Sequence, residues 1–113
     1  MPKLQQVYQM DNLYRLFFKA FSNHTRLEII QLLRKKPLIV TEICDKTGFE
    51  QSRVSHNLRC LVNCGFVKVR QNGNFREYTL DEETIIPIVD LFVKHIQKYK
   101  ERLENCGVIQ DER

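Results

Sequence analysis

Hydrophobic residues recur every three or four positions along much of the chain, which is the spacing of one buried face of an α-helix. The first stripe predicts a helix over about 4–21. Its apolar positions are Leu4, Val7, Met10, Leu13, Phe17 and Phe21. A second helix is predicted after Asn23, whose side chain is suited to cap it. The apolar stripe of this second helix contains Leu27, Ile30 and either Leu32 or Leu33.

Two short helices joined by a glycine-containing turn are predicted in the middle of the chain. Thr41 is suited to cap the first of them, which ends at Gly48, and the second begins at Gln51 and ends at Gly65. The inward positions of the second are Val54, Leu58 and Leu61. Helix, turn and helix over about 41–65 form the helix-turn-helix arrangement.

A β-hairpin is predicted after these helices. Residues 66–70 and 75–80 have the composition of strands, and the Asn72-Gly73 pair between them is a strong signal for a tight hairpin turn. A hairpin over about 66–80 that follows a helix-turn-helix would be a wing. The fold class is therefore mainly α with a β-hairpin, a winged helix-turn-helix in one domain over 1–113.

The last predicted element is a long helix over about 83–105, with Pro87 in its first turn, where proline is tolerated, and Gly107 expected to end it. Its apolar positions are Ile85, Val89, Phe92, Ile96, Tyr99 and Leu103. Their steps of four and three residues make a heptad-like stripe, which is longer than a domain of this size can cover internally. We therefore expect a homodimer formed through the first and last helices. The alternative is that the last helix folds back onto its own core.

Charge is unevenly distributed along the chain. Residues 1–80 carry 13 Lys or Arg against 6 acidic residues, whereas residues 81–113 carry 5 against 8. The segment 51–76 contains five basic residues and no Asp or Glu, as a surface that faces phosphates would require. A solvated basic face without a ligand is the alternative.

Composition limits the class of protein. With 42% hydrophobic and 28% charged residues, the chain has the balance of a soluble globular domain. No apolar run approaches the length of a membrane span, and no signal-like segment begins the chain, so we expect a cytoplasmic protein with no membrane partner. In that compartment the four cysteines would be reduced.

Two segments resemble a known family of regulators. The run TRLEIIQLL at 25–33 resembles the second helix of the ArsR/SmtB family of bacterial and archaeal repressors, and QSRVSHNLR at 51–59 resembles its recognition helix. Residues 65–67 and 78–80 resemble the strands beside its wing, and the resemblance extends over about 13–105. It implies a dimeric repressor bound to a double-stranded DNA operator. Motifs of phosphate loops, nucleophile elbows and zinc hydrolases are missing, which argues against an enzyme.

The DNA-binding residues that this arrangement predicts are polar or basic side chains on the outer face of the recognition helix and on the wing. They are Gln51, Ser52, Arg53, Ser55, His56, Arg59, Arg70 and Arg76. Gln and Arg can pair with base edges in the major groove, while Ser and His can bind phosphates or bases. The wing arginines would reach backbone phosphate or the adjacent minor groove. For His56, a surface residue without a partner is the alternative.

Two metal sites of the family are broken in this chain. The site on the last helix needs acidic and His ligands, but the matching positions hold Glu82, Thr84, His95 and Lys98. The arsenite site needs a Cys-x-Cys before the third helix, where Ile39-Val40-Thr41 stands, and Cys44 alone matches an accessory position.

A third metal site of the family fits this chain better. The segment from Cys60 to Cys64-Gly65 resembles that of cadmium- and lead-sensing family members, in which the third thiolate comes from the carboxyl-terminal region, where Cys106 stands. An i, i+4 pair places both sulfurs on one helix face, and thiolates select soft cations. We therefore predict cadmium or lead, rather than zinc, as effector.

Other uses of these residues remain open. The cysteines could be small packing residues, they could respond to oxidation, or the repressor could have no small ligand. A function of another class is a protein-interaction module whose basic face is incidental.

Overall fold

The computed structural model describes residues 4–111, with side chains from residue 10 onward, and these form two compact units that divide after Asp81. The first unit contains α1 Leu4–Phe21, α2 His24–Lys35, α3 Val40–Thr47, α4 Gln51–Asn63, β1 Val67–Asn72 and β2 Phe75–Leu80. The second contains α5 Ile85–Glu104 and α6 Gly107–Asp111. None of the helices in this part of the chain is long and apolar enough to cross a membrane. One domain over 1–113 stays a prediction.

The first helix follows the predicted bounds but not the predicted burial. Phe21 is buried, whereas Met10 and Leu13 are 46% and 55% exposed in this single chain. The predicted positions Leu4 and Val7 lie outside the residues whose side chains are described. Most of the apolar face of α1 is thus left uncovered by its own unit.

The second helix is capped as predicted, since Asn23 Oδ1 accepts a hydrogen bond from the Arg26 backbone N–H at 3.0 Å. Its buried face was predicted wrongly at Leu27, which is 41% exposed. The buried residues are Thr25, Ile29, Ile30 and Leu33. Leu27 lies about 200° around the helix from Ile29. This difference places Leu27 away from α1, α3, α4 and β2, against which α2 packs.

The helix-turn-helix consists of α3 and α4. The expected cap Thr41 is wrong by two residues, because Ile39 is the N-cap and its backbone N–H donates to Glu42 Oε1 at 3.0 Å. Gly48 ends α3 in the left-handed conformation, with φ of 76°. The inward positions Val54, Leu58 and Leu61 are confirmed as buried.

The hairpin is confirmed, but its turn lies one residue later than predicted. Asn72 pairs with Phe75 and is the last residue of β1, so the two turn residues are Gly73 and Asn74. Gly73 has a φ of 63°, whereas no described residue other than glycine has a positive φ. Glycine at the first turn position is the pattern of a type II′ turn, whose twist matches that of the strands.

The second unit is a long helix with a break. Tyr99 leaves helical geometry within α5, with φ −121° and ψ 27°. Pro87 falls in the first turn, as predicted. Gly107 was expected to end the last helix, but α5 ends at Glu104 and Gly107 begins α6. Along the predicted stripe Ile85 and Val89 are buried, and the later positions Ile96 and Leu103 are 50% and 41% exposed.

Candidate nucleic-acid interface and thiol pair

The helix α4 presents polar side chains on the face opposite to its buried stripe. Because Val54, Leu58 and Leu61 anchor the helix in the core, the positions on the opposite side of the helix point away from it. Five predicted contact residues on this helix are exposed, namely Gln51, Ser52, Arg53, His56 and Arg59, and Ser55 is half-buried.

A cleft of about 310 Å³ separates α4 from the hairpin. It is lined by Ser55, Arg59, Val62, Val69, Arg76 and Tyr78. Three residues predicted from the sequence to contact DNA, Ser55, Arg59 and Arg76, therefore meet at one place although they come from two elements. The lining includes two arginines and no acidic side chain, so it is suited to hold an anion such as a phosphate.

The other wing arginine lies on the opposite face of the hairpin. Strand register pairs Gln71 with Arg76, on the face of the buried Val67–Leu80 pair, and pairs Arg70 with Glu77 on the other face. The guanidinium of Arg70 forms a 2.5 Å ion pair with Glu77. The hydrogen bond from Arg70 lowers the pKa of that carboxyl. Arg70 is therefore not brought into the cleft, and its charge is balanced by Glu77.

Arg53 is also engaged within the chain. Its Nε donates a 2.7 Å hydrogen bond to the hydroxyl of Thr25, and its guanidinium stacks 3.9 Å from the ring centroid of Phe49. These contacts hold the side chain toward α2. A contact between Arg53 and DNA stays a prediction.

The sequence analysis missed two residues behind the reading face. Asn57 is buried on the inner side of α4, and Arg26 donates to its side chain at 3.4 Å from α2. The available signal was a polar residue three positions after Val54 and directly before Leu58, where the stripe calls for an apolar one. A polar residue at such a position needs a hydrogen-bond partner.

The structure places Cys60 and Cys64 one turn apart near the end of α4, with Cys60 half-buried and Cys64 exposed. Partial burial raises the pKa of the Cys64 thiol, and the charge and hydrogen bonding of Cys60 raise it further, while Arg26 opposes this rise. These two neighbouring thiols are two of the three ligands that the sequence predicts, and their role as ligands stays a prediction.

The other two cysteines lie elsewhere. Cys44 is half-buried on α3. Cys106 belongs to the second unit, between α5 and α6, where it lines a cavity of about 250 Å³ with five other residues, which are His95, Tyr99, Arg102, Leu103 and Ile109. Within residues 4–111 of one chain, no three His, Cys, Asp or Glu side chains group together so as to hold a metal.

Residues 23–69 match the family model described as bacterial regulatory protein, arsR family. The chain is 33% identical over 75 residues to a probable mercury resistance operon repressor from Streptomyces lividans, a match that covers 66% of this chain and 60% of that protein. It is also 33% identical over 79 residues to a homologue of the cadmium resistance transcriptional regulatory protein CadC from Staphylococcus aureus, covering 69% and 65%. The chain thus spans less than two thirds of the length of these relatives.

Solved structures share the fold. The solution structure of a homodimeric winged helix-turn-helix DNA-binding domain from Mycobacterium bovis, described as a possible ArsR-family regulator, superposes with a TM-score of 0.76 at 26% identity, covering 89% of this chain and 93% of that one. The predicted winged helix-turn-helix is therefore confirmed, and the matched family consists of regulators rather than enzymes. The chain belongs to the ArsR family of bacterial regulatory proteins.

Proposed function

We propose that this chain is the subunit of a homodimeric transcriptional repressor that binds a palindromic DNA operator and leaves it when a soft metal ion binds to its cysteine thiolates. The observation that carries the DNA-binding part is the cleft in which Arg59 of α4 meets Arg76 of the wing. A recognition helix in the major groove and a wing beside it would place a backbone phosphate between these two side chains. A protein-interaction module would not require two arginines to converge there.

The proposed contacts divide by role. Gln51, Ser52, Ser55 and His56 lie at the start and middle of α4 and would contact base edges or nearby phosphates. Arg59 and Arg76 would hold phosphate and fix the register of the helix on the duplex. Arg53 and Arg70 remain proposed contacts of a weaker kind, because each already has an internal partner.

The proposed homodimer forms through α1 and α5. The described part of α1 exposes five large apolar side chains, at Met10, Leu13, Tyr14, Leu16 and Phe18. Helix α5 exposes Leu91, Ile96 and Leu103. Large apolar side chains exposed in this number on two helices favour an association interface. The name of the Mycobacterium bovis neighbour, which states that it is homodimeric, supports this assembly. We place the dimer in the cytoplasm, where its operator would be.

The proposed effector is a soft divalent ion, cadmium or lead in preference to zinc. Cys60 and Cys64 fit such an ion, because they lie one helical turn apart and thiolates select soft cations. The third thiolate would come from Cys106 of the partner subunit. Mercury and cadmium appear in the names of two relatives, which supports a thiophilic ion without specifying which one.

Release would follow from differential affinity. Because Cys60 lies in the last turn of the helix that begins with Gln51 and Cys64 is its C-cap, a metal held there acts on the element that reads DNA. The ion must bind more tightly to a form whose two recognition helices no longer fit their half-sites. DNA would in turn weaken metal binding by the same factor.

Selection from a random duplex library followed by gel shift tests the DNA-binding part. We expect the wild-type protein to enrich a palindromic duplex and to bind it in preference to random DNA. Gln51→Ala and Ser55→Ala should each alter sequence preference. For each lost base contact, the free-energy difference between the preferred base and the others should fall by about 1–3 kcal/mol. If no duplex is enriched, the protein is not a sequence-specific repressor.

Cadmium titration of the reduced protein tests the metal part. We expect an intense ultraviolet sulfur-to-metal charge-transfer band and release of the selected duplex by the protein. Cys60→Ser or Cys64→Ser should abolish both effects, and Cys106→Ser should weaken both. Cys44→Ser is the matched control and should change little. If the double variant of Cys60 and Cys64 still binds cadmium tightly and still leaves DNA, the sensing site lies elsewhere. Release by a mild oxidant but not by cadmium would favour a thiol-oxidation sensor.

A further inference from the structure

Two buried polar side chains of the described chain, Thr25 and Asn57, lie between α2 and α4. Both have hydrogen-bond partners. The Thr25 hydroxyl accepts from Arg53 Nε at 2.7 Å, and Asn57 Nδ2 donates to the Arg53 carbonyl oxygen at 2.9 Å within α4. Helix α4 is thus attached to α2 by directional bonds as well as by apolar packing.

Arg26 extends this network to the end of α1. Its Nε donates to the carbonyl oxygen of Ala20 at 2.9 Å, and one terminal nitrogen donates to that of Lys19 at 3.1 Å. The other terminal nitrogen donates to Asn57 Oδ1 at a longer 3.4 Å. The carbonyls of the last turn of a helix have no partner within it, and a cation there also interacts favourably with the helix dipole. One half-buried guanidinium therefore contacts α1 and α4 at once.

The network contacts α4 at two levels one turn apart. Arg53 is held through its side chain by Thr25, and Asn57 is held by Arg26. Two attachments along one helix restrict both its tilt and its rotation about its axis. The planar fork of arginine can bind carbonyls and an amide oxygen in fixed directions, which the single ammonium of lysine cannot.

We propose that Arg26 is a positioning residue for DNA recognition, which sets the direction of α4 relative to the end of α1 and thereby the half-site spacing that the dimer accepts. This inference rests on the proposed function, in which α1 contributes to the dimer interface and α4 reads DNA. In a symmetric dimer, a rotation of α4 relative to α1 occurs in both subunits and changes the separation of the two reading helices. Half-site separation on a duplex is a geometric requirement, one helical turn or a multiple of it.

The test uses the full-length protein and the palindromic duplex that the wild-type protein selects. Derivatives of this duplex have one base pair inserted or removed at the centre, so that the sequence of each half-site is retained and only the separation and rotational phase of the half-sites change. We expect wild type to bind the derivatives at least about tenfold more weakly. Arg26→Gln should bind the selected duplex more weakly and should discriminate among spacings by less than about threefold. Arg26→Lys should show the same loss of discrimination.

Arg15→Gln is the matched control. It removes the same charge from an exposed arginine on α1 whose partner is Asp11, and it should leave spacing discrimination as in wild type. A merely structural role of Arg26 would lower the melting temperature and weaken binding to all spacings equally. Retained discrimination in a folded, dimeric Arg26→Gln overturns the inference.

Asn57→Ser covers the case in which the Arg26 variants do not fold. This variant removes the amide oxygen that accepts a hydrogen bond from Arg26. If it no longer discriminates among half-site spacings, the inference is supported, and if it still does, the inference is overturned. The outcome is distinguishable from failure of the proposed function. If wild type enriches no duplex, the proposed function is wrong and the inference falls with it, whereas enrichment with unchanged variants rejects the inference alone.

Discussion

Replacement of Arg76 by alanine should reduce the salt dependence of DNA binding. Arg76 lines the cleft between α4 and the hairpin together with Arg59 and with no acidic side chain. A side chain in this position that neutralises a phosphate displaces a condensed counterion from the duplex. Each such contact contributes about −0.9 to the slope of log affinity against log salt concentration.

The expected magnitude follows from the symmetry of the proposed dimer. Arg76 occurs once per subunit, so Arg76→Ala removes two phosphate contacts and should make the slope less steep by about 1.8. Between 50 and 200 mM salt, a slope change of this size corresponds to a roughly 12-fold change in the ratio of wild-type to variant affinity. The variant should thus be most impaired at low salt.

Fluorescence anisotropy with the selected duplex at a series of salt concentrations measures the slope. Arg70→Ala is the matched control, because Arg70 lies on the same hairpin but on its other face and is paired with Glu77. We expect it to change the slope by less than half as much as Arg76→Ala. An unchanged slope in Arg76→Ala refutes the reasoning, and so does a reduction in Arg70→Ala as large as the one expected for Arg76→Ala.

In urea denaturation, Leu61→Ala should lower the free energy of unfolding by about 2–5 kcal/mol, because Leu61 is fully buried. Leu27→Ala should lower it by less than about 0.5 kcal/mol, because Leu27 is exposed. Gly73→Val should lower the free energy of unfolding by about 1–3 kcal/mol in the same assay, because a β-branched residue is strained at a φ of 63°. Sedimentation should show Leu13→Glu shifted toward monomer. Cadmium affinity should rise with pH, because the raised pKa of Cys64 lets a proton compete with metal; a pH-independent affinity would exclude thiol ligands.

Much of the local structure could be predicted from the sequence because it depends on short-range chemistry. The cap at Asn23 and the left-handed helix end at Gly48 each depend on interactions within a few residues. The buried stripe of α4 was likewise predicted correctly, because its spacing matches the helical repeat. The helix-turn-helix and its wing followed from the order of these elements.

Errors arose where several elements compete for one residue. Periodicity alone could not distinguish Leu27 from Ile29, because both belong to an apolar run and the packing of four neighbours selects the buried face. The hairpin turn shifted by one residue because strand register, and not the pair Asn72-Gly73 by itself, determines which residues are left unpaired.

The candidate site shows the same division. The sequence by itself determined that residues 51–76 carry basic side chains without acidic ones and that two cysteines share one turn of α4. Only the tertiary structure decided that Arg76 meets Arg59 whereas Arg70 pairs with Glu77, because the side-chain alternation of a strand has meaning only once one face is buried. It also decided that Arg26 contacts Asn57, 31 positions away, since hydrogen bonds between helices depend on how those helices pack.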